Sequence, residues 1–549
     1  MVANREGMSK RAIDRRPSAE RIAEHESRGE WPVAGAAAWL RSRVRREPNR
    51  SFLIDGKRRL TFAEFAARAA KLACGLRGLG LGAGDVVAWQ LPSWVEGALL
   101  TVALDALGAV ATPILSIYRE TEVEFVVRQT RARALVVPGP FRGFDHRILA
   151  ASVRARTGDL EHVLVARADP LQAMRSLDDL IERAPAAELP HSPRDPHDVA
   201  AIFYTSGTTA DPKGVLHTQS TLGSYARINA EAVGTRPEDV SLLQFPLAHI
   251  GGVGSFVVLP LLVGSTVVYL DVWEPEAALE RIEHEGVTAA GGPPAILQGL
   301  LDAPGFRRER VKTLRTAATG AADVPPELIR QVRARMGAAS FRSYGMTECP
   351  MFSSGAADDP EDRCANTDGR VVSGGRCRIV DEDGCDLPPG REGEILVFGP
   401  QMCVGYVDPR LEAEAFTADG FFRSGDLGVI DADGYLRVTG RKKDIIIRKG
   451  ENLSAKAIED VLHEHPAIAE AAVIGVPDTD RGERVCACIV ARSPGDAPTL
   501  EDLAGFMIAR GVMRQKIPEQ LELVAALPRN ATGKVKKHEL RARFARSRT

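Results

Sequence analysis

Tyr204-Thr-Ser-Gly-Thr-Thr-Ala-Asp-Pro-Lys-Gly-Val215 says more about the fold and chemistry of this chain than any other run. It follows Asp198-Val-Ala-Ala-Ile-Phe203, a short apolar run that reads as a buried strand. The chain then breaks into hydroxyls and glycines and closes on Lys213-Gly214. Glycines let backbone N–H groups approach a ligand closely, hydroxyls add donors, and a lysine supplies a mobile positive charge. Together they suit phosphate oxygens. A Walker-type loop needs Gly-x-x-x-x-Gly-Lys followed by Ser or Thr. Counting from Gly207, the fifth residue on is Pro212, and Lys213 is followed by Gly214, so that reading fails. The plain alternative to a phosphate cradle is a hydroxyl-rich turn between two strands.

With 549 residues the chain exceeds one compact core, so two or more domains are expected. Hydrophobic residues at 44% and charged residues at 26% are an ordinary balance for a soluble globular protein. A net charge of −2 gives no case for nucleic acid or an anionic membrane surface as the main partner. Eight scattered cysteines without a CxxC pair predict reduced thiols rather than a zinc site or a disulfide framework. Cys486 and Cys488 fall on one face of a strand and read as core. Residues 255–270 are apolar but broken by Pro260 and Gly264, and 97–115 are interrupted by Asp105 and ended by Pro113, so no transmembrane segment is predicted. The first thirty residues lack the apolar core of a signal peptide, so a cytoplasmic location is expected. Residues 1–32 read as a charged arm, its Arg/Glu-rich part at 9–28 being a solvated helix or a frayed end.

From residue 39 to about 370, amphipathic helices such as 61–79 and 94–109 alternate with short β-branched runs such as Ala134-Leu-Val-Val137. Further strands are expected at 163–165, 241–245, 266–270 and 288–291. The alternation predicts an α/β fold with parallel sheets covered on both faces, over a stretch long enough for two doubly wound sheets. Between 374 and 440, strands at 376–381, 393–398, 428–430 and 435–439 are punctuated by Asp-Gly turns, which predicts a small antiparallel β-barrel subdomain. After Arg441-Lys-Lys-Asp444 comes a smaller α+β unit, with helices at 453–464 and 500–510 and strands at 469–476 and 485–490. The expected division is an arm at 1–32, a large domain at 33–443 and a C-terminal domain at 444–549.

The run from Tyr204 to Val215 resembles the phosphate-binding loop of the adenylate-forming superfamily, which comprises acyl- and aryl-CoA synthetases, peptide-synthetase adenylation domains and firefly-type luciferases. The resemblance recurs in order over residues 40–540. It implies that Thr205, Ser206, Gly207, Thr208, Thr209 and Lys213 hold ATP phosphates. Ser343-Tyr-Gly-Met-Thr-Glu348 is similar to a run that sets an aromatic ring (Tyr344, beside Gly345) against adenine, a threonine (Thr347) on the α-phosphate and a glutamate (Glu348) on Mg2+. A carboxylate is a natural hard-oxygen ligand for an ion that also keeps waters and substrate phosphates. Thr319-Gly-Ala-Ala322 resembles the small-residue wall of the adenine pocket, through Gly320 and Ala321. Phe422-Arg-Ser-Gly-Asp426 is similar to the ribose-binding turn, where Asp426 would accept from a vicinal diol.

Gly440-Arg-Lys-Lys-Asp444 resembles the junction between the two domains, with Arg441 reaching ribose or phosphates. Lys443 would be the hinge of a mobile C-terminal domain that reorients between two half-reactions. Arg448-Lys-Gly-Glu-Asn-Leu-Ser454 is similar to the loop that enters for the thioester step, with Gly450 letting pantetheine pass. Pro528-Arg-Asn-Ala-Thr-Gly-Lys534 resembles the catalytic lysine motif. The Lys534 ammonium would offset the charge that develops as a carboxylate attacks the α-phosphorus.

The resemblance implies an AMP-forming acid–thiol ligase using ATP, Mg2+ and coenzyme A, with Lys213, Thr347 and Lys534 as catalytic residues. The acyl pocket is expected to begin at Phe245-Pro-Leu-Ala-His-Ile-Gly-Gly252. Adenylation domains for α-amino acids place an aspartate in this region, and none occurs between Phe245 and Leu270. Activators of 2-hydroxylated benzoates carry an asparagine directly after the histidine, where this chain has Ile250. His249 is expected where the carboxylate and CoA channels meet, with Ile250, Gly251, Val253, Gly254, Phe256 and Gly291 as apolar or small lining. The expected small-molecule partner is an apolar carboxylic acid: medium-chain fatty, alicyclic or aryl. Residues 90–144 are most similar to cyclohexanecarboxylate- and medium-chain acyl-CoA ligases. No carrier domain is expected after Lys534, and no rotation-blocking insertion of the acyl-AMP ligase kind lies between 374 and 441. The missing insertion favours CoA as acceptor, while a free-standing acyl-AMP ligase that loads a separate carrier protein stays open as the alternative. A luciferase-type oxygenase would share every motif, whereas a non-catalytic nucleotide-binding protein would have no use for Lys534. Homo-oligomerisation is left open.

Overall fold

Apolar runs without alternation, Val86–Trp89, Ala134–Pro138 and His162–Ala166, become strands buried over nearly their whole length, as expected where helices cover both faces of a sheet. The computed structural model describes residues 13, 15–32, 34–205, 212–449, 451–478, 480–493, 495, 497–529 and 534–545. In it these strands belong to a seven-stranded sheet, ordered Lys213–Thr218, Val199–Thr205, Val110–Pro113, Val86–Trp89, Ala134–Pro138, His162–Ala166, Arg175–Ser176. Every neighbouring pair is parallel except the first. A nine-stranded sheet runs parallel from Arg342–Tyr344 through Thr316–Gly320, Ala289–Gly292, Val240–Leu243 and Thr266–Tyr269 to Ser51–Asp55, with antiparallel strands at both ends. Residues from both sheets and the helices between them share one apolar core.

The helix Phe62–Gly78 starts on a reciprocal cap: Thr61 Oγ1 accepts the Glu64 amide, and Glu64 accepts the Thr61 amide. It buries Phe62, Phe65, Ala69, Leu72, Ala73 and Leu76, a stripe at three- and four-residue spacing. The helix Val95–Leu107 is buried on nearly every side, which accounts for its apolar sequence without a bilayer. Asp105, the residue that interrupts this run, is buried and accepts the Ala37 amide at 2.9 Å and the side-chain amide of Gln219. Ala37 lies in the first turn of Ala36–Arg46, so the carboxyl sits at the positive end of that helix. Among the described residues no helix is long and apolar enough to cross a membrane.

The predicted barrel is instead an open antiparallel meander of four strands, Arg376–Val380, Gly393–Phe398, Phe422–Ile430 and Leu436–Arg441. Four strands are too few to close around a core, and this sheet packs with Phe352, Met402 and Tyr406 instead. Beyond Asp444, the hairpin Ile468–Asp478 and Gly482–Ala491 is extended by Ile445–Arg448 and Glu451–Ser454, and by a parallel strand Gln520–Leu523. Helices Ala455–His463, Leu500–Ala509 and Lys537–Phe544 complete this unit, and Cys486 and Cys488 are buried with Leu540 and Phe544.

The arm departs from expectation. Ala19–Ser27 is a helix capped by Ser18, but it is not solvated all round, because His25 is fully buried. Trp31 Nε1 donates to the Pro400 carbonyl at 2.8 Å. A charge-rich composition concealed this docking, because Arg and His side chains also carry stems and planar faces that pack.

Arg167, just after His162–Ala166, ties the two sheets together. Its guanidinium pairs with Asp55, at the end of Ser51–Asp55, and with Glu96 at 2.7 Å, and lies 4.3 Å from the Trp94 ring centre. Both carboxylates are nearly sealed, at 8% and 2% exposure. Arg167→Met removes the cation they share and is expected to destabilise the fold by about 3–5 kcal/mol. A thermal melt that matches wild type would show that this cluster does not hold the sheets together.

Candidate active site

The phosphate-loop segment joins Val199–Thr205 to Lys213–Thr218, antiparallel strands in which Thr205 pairs with Lys213. A strand-to-strand loop differs in topology from the strand-to-helix Walker loop, in keeping with the failed residue count. Ser206, Gly207, Thr208 and Thr209 lie outside the described residues. Lys213 places Nζ 5.9 Å from the centre of the Tyr406 ring. Tyr406 arrives on a segment running beside Lys213–Thr218: Val407 N–H donates to the Gly214 carbonyl at 2.8 Å, and Leu216 N–H to that of Gly405 at 2.9 Å. Gly214 is required there, since a Cβ would stand 2.8 Å from Val407 and 2.9 Å from the Tyr204 ring.

Beyond the end of Arg342–Tyr344 the chain presents Gly345, Thr347 and Glu348. His217 fixes this segment: Nε2–H donates to the Thr347 carbonyl at 2.9 Å, and Nδ1 accepts from Thr221 Oγ1 at 3.1 Å. Burial pushes His217 down to about 4, so the ring is neutral and the tautomer is held. Glu348 is buried, and the Tyr406 hydroxyl donates to its Oε1 at 2.7 Å. Burial raises this carboxyl, while Tyr406, Lys213 and Arg441 oppose the rise. A buried carboxyl pushed toward protonation is one that a hard cation would re-ionise, so its chemistry fits Mg2+.

Asp426 is nearly inaccessible, at 3% exposure. The Tyr344 hydroxyl donates to its Oδ2 at 2.8 Å, and Arg441 Nε lies 2.7 Å from Oδ1. Asp426 and Arg441 are paired across Phe422–Ile430 and Leu436–Arg441, so the sheet register sets this contact. Lys534 faces the same groups. Burial first, and then Arg441, push its ammonium down to about 8, while Asp426 pulls it up. Lys443 stands in the single 3-10 turn Lys442–Asp444 between Leu436–Arg441 and Ile445–Arg448, and Gly450 lies outside the described residues. Gly320 leaves no room for a Cβ against the Ser343 carbonyl, and Ala321 adopts φ 64°, an uncommon value for a non-glycine. Two residues on, Asp323 pairs with Lys456 of Ala455–His463 at 3.0 Å, so the C-terminal unit grips the end of this wall.

His249 caps the turn Ile250–Val253, its Nδ1 accepting the Gly251 amide at 3.1 Å. Burial pushes it down to about 4, so it is neutral, with its proton on Nε2. Ile250 and Val253 belong to the main core, and Gly254 packs against the Tyr225 ring. Phe245 lies edge-on to Phe256 at 5.4 Å, and a Cβ on Gly251 or Gly292 would stand 3.5 Å or 3.3 Å from its ring. Gly291 packs against the Ala318 backbone, and its carbonyl accepts from Gln244 Nε2 at 2.8 Å. The two glycine-bearing segments thus meet at Phe245. Tyr406, His217 and the Asp323–Lys456 pair were missed by sequence reasoning, and none lies inside a motif quoted above.

Residues 40–407 match the AMP-binding enzyme family, and residues 457–534 match the AMP-binding enzyme C-terminal domain. The chain belongs to this family of adenylate-forming enzymes. The medium-chain fatty-acid–CoA ligase of Escherichia coli (strain K12) is 31% identical over 96% of this chain and 94% of that protein. The 2-hydroxy-7-methoxy-5-methyl-1-naphthoate–CoA ligase of Streptomyces carzinostaticus is 35% identical over 95% of this chain and 96% of that one. The crystal structure of ATP-bound MatB from Rhodopseudomonas palustris superposes with a TM-score of 0.85 at 30% identity, covering 93% of this chain and 99% of MatB. The protein is an ATP-dependent, adenylate-forming enzyme of the acid–CoA ligase family.

Tyr344→Phe keeps the ring and deletes the donor to Asp426. Titration calorimetry with AMP should show about fivefold weaker binding, the effect of one hydrogen bond near 1 kcal/mol. Unchanged affinity would mean that Arg441 and the strand register hold Asp426 without Tyr344.

Proposed function

We propose that this enzyme adenylates an apolar carboxylic acid and transfers the acyl group to coenzyme A. The observation that supports this reading is the convergence of Lys534, from the C-terminal unit, on the Tyr344–Asp426–Arg441 cluster. In the first step a substrate carboxylate oxygen bonds to the α-phosphorus of ATP. The bond from that phosphorus to the oxygen bridging to the β-phosphate breaks, and pyrophosphate leaves with the electron pair. Lys213 and the Thr205–Thr209 hydroxyls and amides would hold the β- and γ-phosphates, Thr347 the α-phosphate, and Asp426 the ribose hydroxyls. Glu348 would hold Mg2+, which when bound neutralises phosphate charge. The Lys534 ammonium offsets the charge that grows on the transferring oxygens. In the second step the CoA sulfur, its proton lost, bonds to the acyl carbon, and the carbon–oxygen bond to AMP breaks. Reorientation about Lys443 would part Lys456 from Asp323, withdraw Lys534 and bring in the Gly450 loop.

Phe245 and Phe256 with glycines 251, 291 and 292 support an acid with an apolar body, medium-chain, alicyclic or aryl. The fatty-acid and naphthoate substrates named for the two relatives are of that kind. The test is pyrophosphate release across a panel of apolar acids, with and without CoA, read as kcat/KM. Acid-dependent release, with AMP and thioester appearing when CoA is added, is the expected result. ATP binding without release for any acid would sink the enzyme reading, and release without thioester would sink the CoA step.

Lys534 supplies a second test. Its folded pKa is lowered, so its charge is complete below about 8 and is lost as pH rises through that value. Acid-dependent ATP–pyrophosphate exchange should therefore fall about tenfold per pH unit above the inflection. Lys534→Ala should abolish that inflection and lower exchange by orders of magnitude, while thioester formation from supplied acyl-AMP survives. Equal loss of both half-reactions would show that Lys534 serves the fold instead.

A further inference from the structure

The N-terminal arm holds the loop that carries Tyr406. Arg21 Nη1 donates to the Cys403 carbonyl at 2.9 Å and Nη2 to the Met402 carbonyl at 2.6 Å. The guanidinium lies 5.5 Å from the Trp31 ring centre and 5.8 Å from that of Phe398. Its Nε is sealed from water and has no hydrogen-bond partner among the described residues, so the whole head group is committed to this contact. Trp31 holds the Pro400 carbonyl. Arg15 donates to Glu412 Oε1 at 3.0 Å, and the same oxygen accepts the Tyr406 amide at 3.1 Å.

That loop in turn holds Glu348 twice. Cys403 N–H donates to the Glu348 carbonyl at 2.7 Å, and the Tyr406 hydroxyl donates to the Glu348 side chain at the same distance. A guanidinium bridging two successive carbonyls fixes the peptide between them, and so the direction of the Cys403 N–H. We propose that residues 15–31 are a positioning element for Glu348, with Arg21 as its central residue. The arm touches neither nucleotide nor acid and acts through Tyr406 and the Cys403 amide. This rests on the reading of Glu348 as the Mg2+ ligand.

The experiment uses the full chain with Mn2+ as the metal probe, followed by electron paramagnetic resonance in the presence of ATP. Arg21→Ala should weaken Mn2+ binding about 10–100-fold, the range seen when a residue orienting a metal ligand is removed. Arg21→Lys, which can reach one carbonyl but not bridge two, should fall between it and wild type. Glu348→Gln should lose a similar amount, and Arg21→Ala added to it should lose little more, because both act through one group. In Arg21→Ala alone, thioester formation from supplied acyl-AMP should be unchanged. A merely structural arm would lower the melting temperature at unchanged Mn2+ affinity, or would add fully to Glu348→Gln, and either result overturns the proposal. Should Arg21→Ala fail to fold, unchanged Mn2+ affinity in Arg21→Lys overturns it equally. If Glu348→Gln itself leaves Mn2+ affinity intact, the metal reading fails and this proposal with it. If wild type releases no pyrophosphate with any acid, the proposed reaction fails, yet Mn2+·ATP binding still decides the role of the arm.

Discussion

Two carboxyl groups, Glu348 and Asp426, are withheld from water in this enzyme, and the surrounding architecture follows from keeping them there. A buried carboxylate is tolerated only where donors or cations replace its hydration. The donors come from far apart in the chain. Tyr344 ends a strand of the nine-stranded sheet, Arg441 ends the antiparallel meander, and Tyr406 lies beside the edge strand of the seven-stranded sheet. Satisfying two carboxylates therefore requires both sheets and the meander to meet, and the phosphate-loop strand starts at that junction. The large core brings these elements near one another, and the polar contacts fix how they meet.

Two buried histidines, His217 and His249, show the same economy. Burial holds both His217 and His249 near 4, so neither titrates in the physiological range. Each uses one nitrogen as a fixed acceptor, from the Thr221 hydroxyl or the Gly251 amide, and so keeps a proton on the other. His217 spends that proton on the Thr347 carbonyl. A motif residue is thereby positioned by a neutral ring whose role no motif predicts.

Much of the fold was legible because buried parallel strands are continuous apolar runs: those expected at 163–165, 266–270 and 288–291 form within a residue or two of their predicted ends. Asp426 and Arg441 were legible as separate motifs, but their pairing depends on strand register, which periodicity alone does not fix across a bulge such as that between Leu427 and Gly428. Barrel closure was misjudged because strand count, and not turn spacing, decides it. The arm was misjudged for a different reason. Composition counts Arg21 as a solvated charge, yet its partners are carbonyls nearly four hundred residues later. A backbone carbonyl leaves no trace in residue type, so side-chain-to-backbone contacts of this range cannot be read from sequence.

The crowding of cations around Asp426 bears on why the C-terminal unit would move at all. Burial first, and then Arg441 and Lys443, lower the Lys534 ammonium, while Asp426 and Asp323 raise it. Like charges that act on one ammonium repel it, so an anion bound among them would favour the docked arrangement. On the proposed reaction, ATP supplies that anion before the chemistry. Departure of pyrophosphate then removes most of the negative charge, while the mixed anhydride leaves a single phosphate charge behind. On that reading the phosphate charge facing Arg441, Lys443 and Lys534 is reduced, and what opposes departure of Lys534 includes the Asp323–Lys456 pair, whose lysine is largely buried. On the proposed reaction, the charges that would assist the first half-reaction would favour the docked state less once it is over, and the short turn Lys442–Asp444 would be the place where the chain bends.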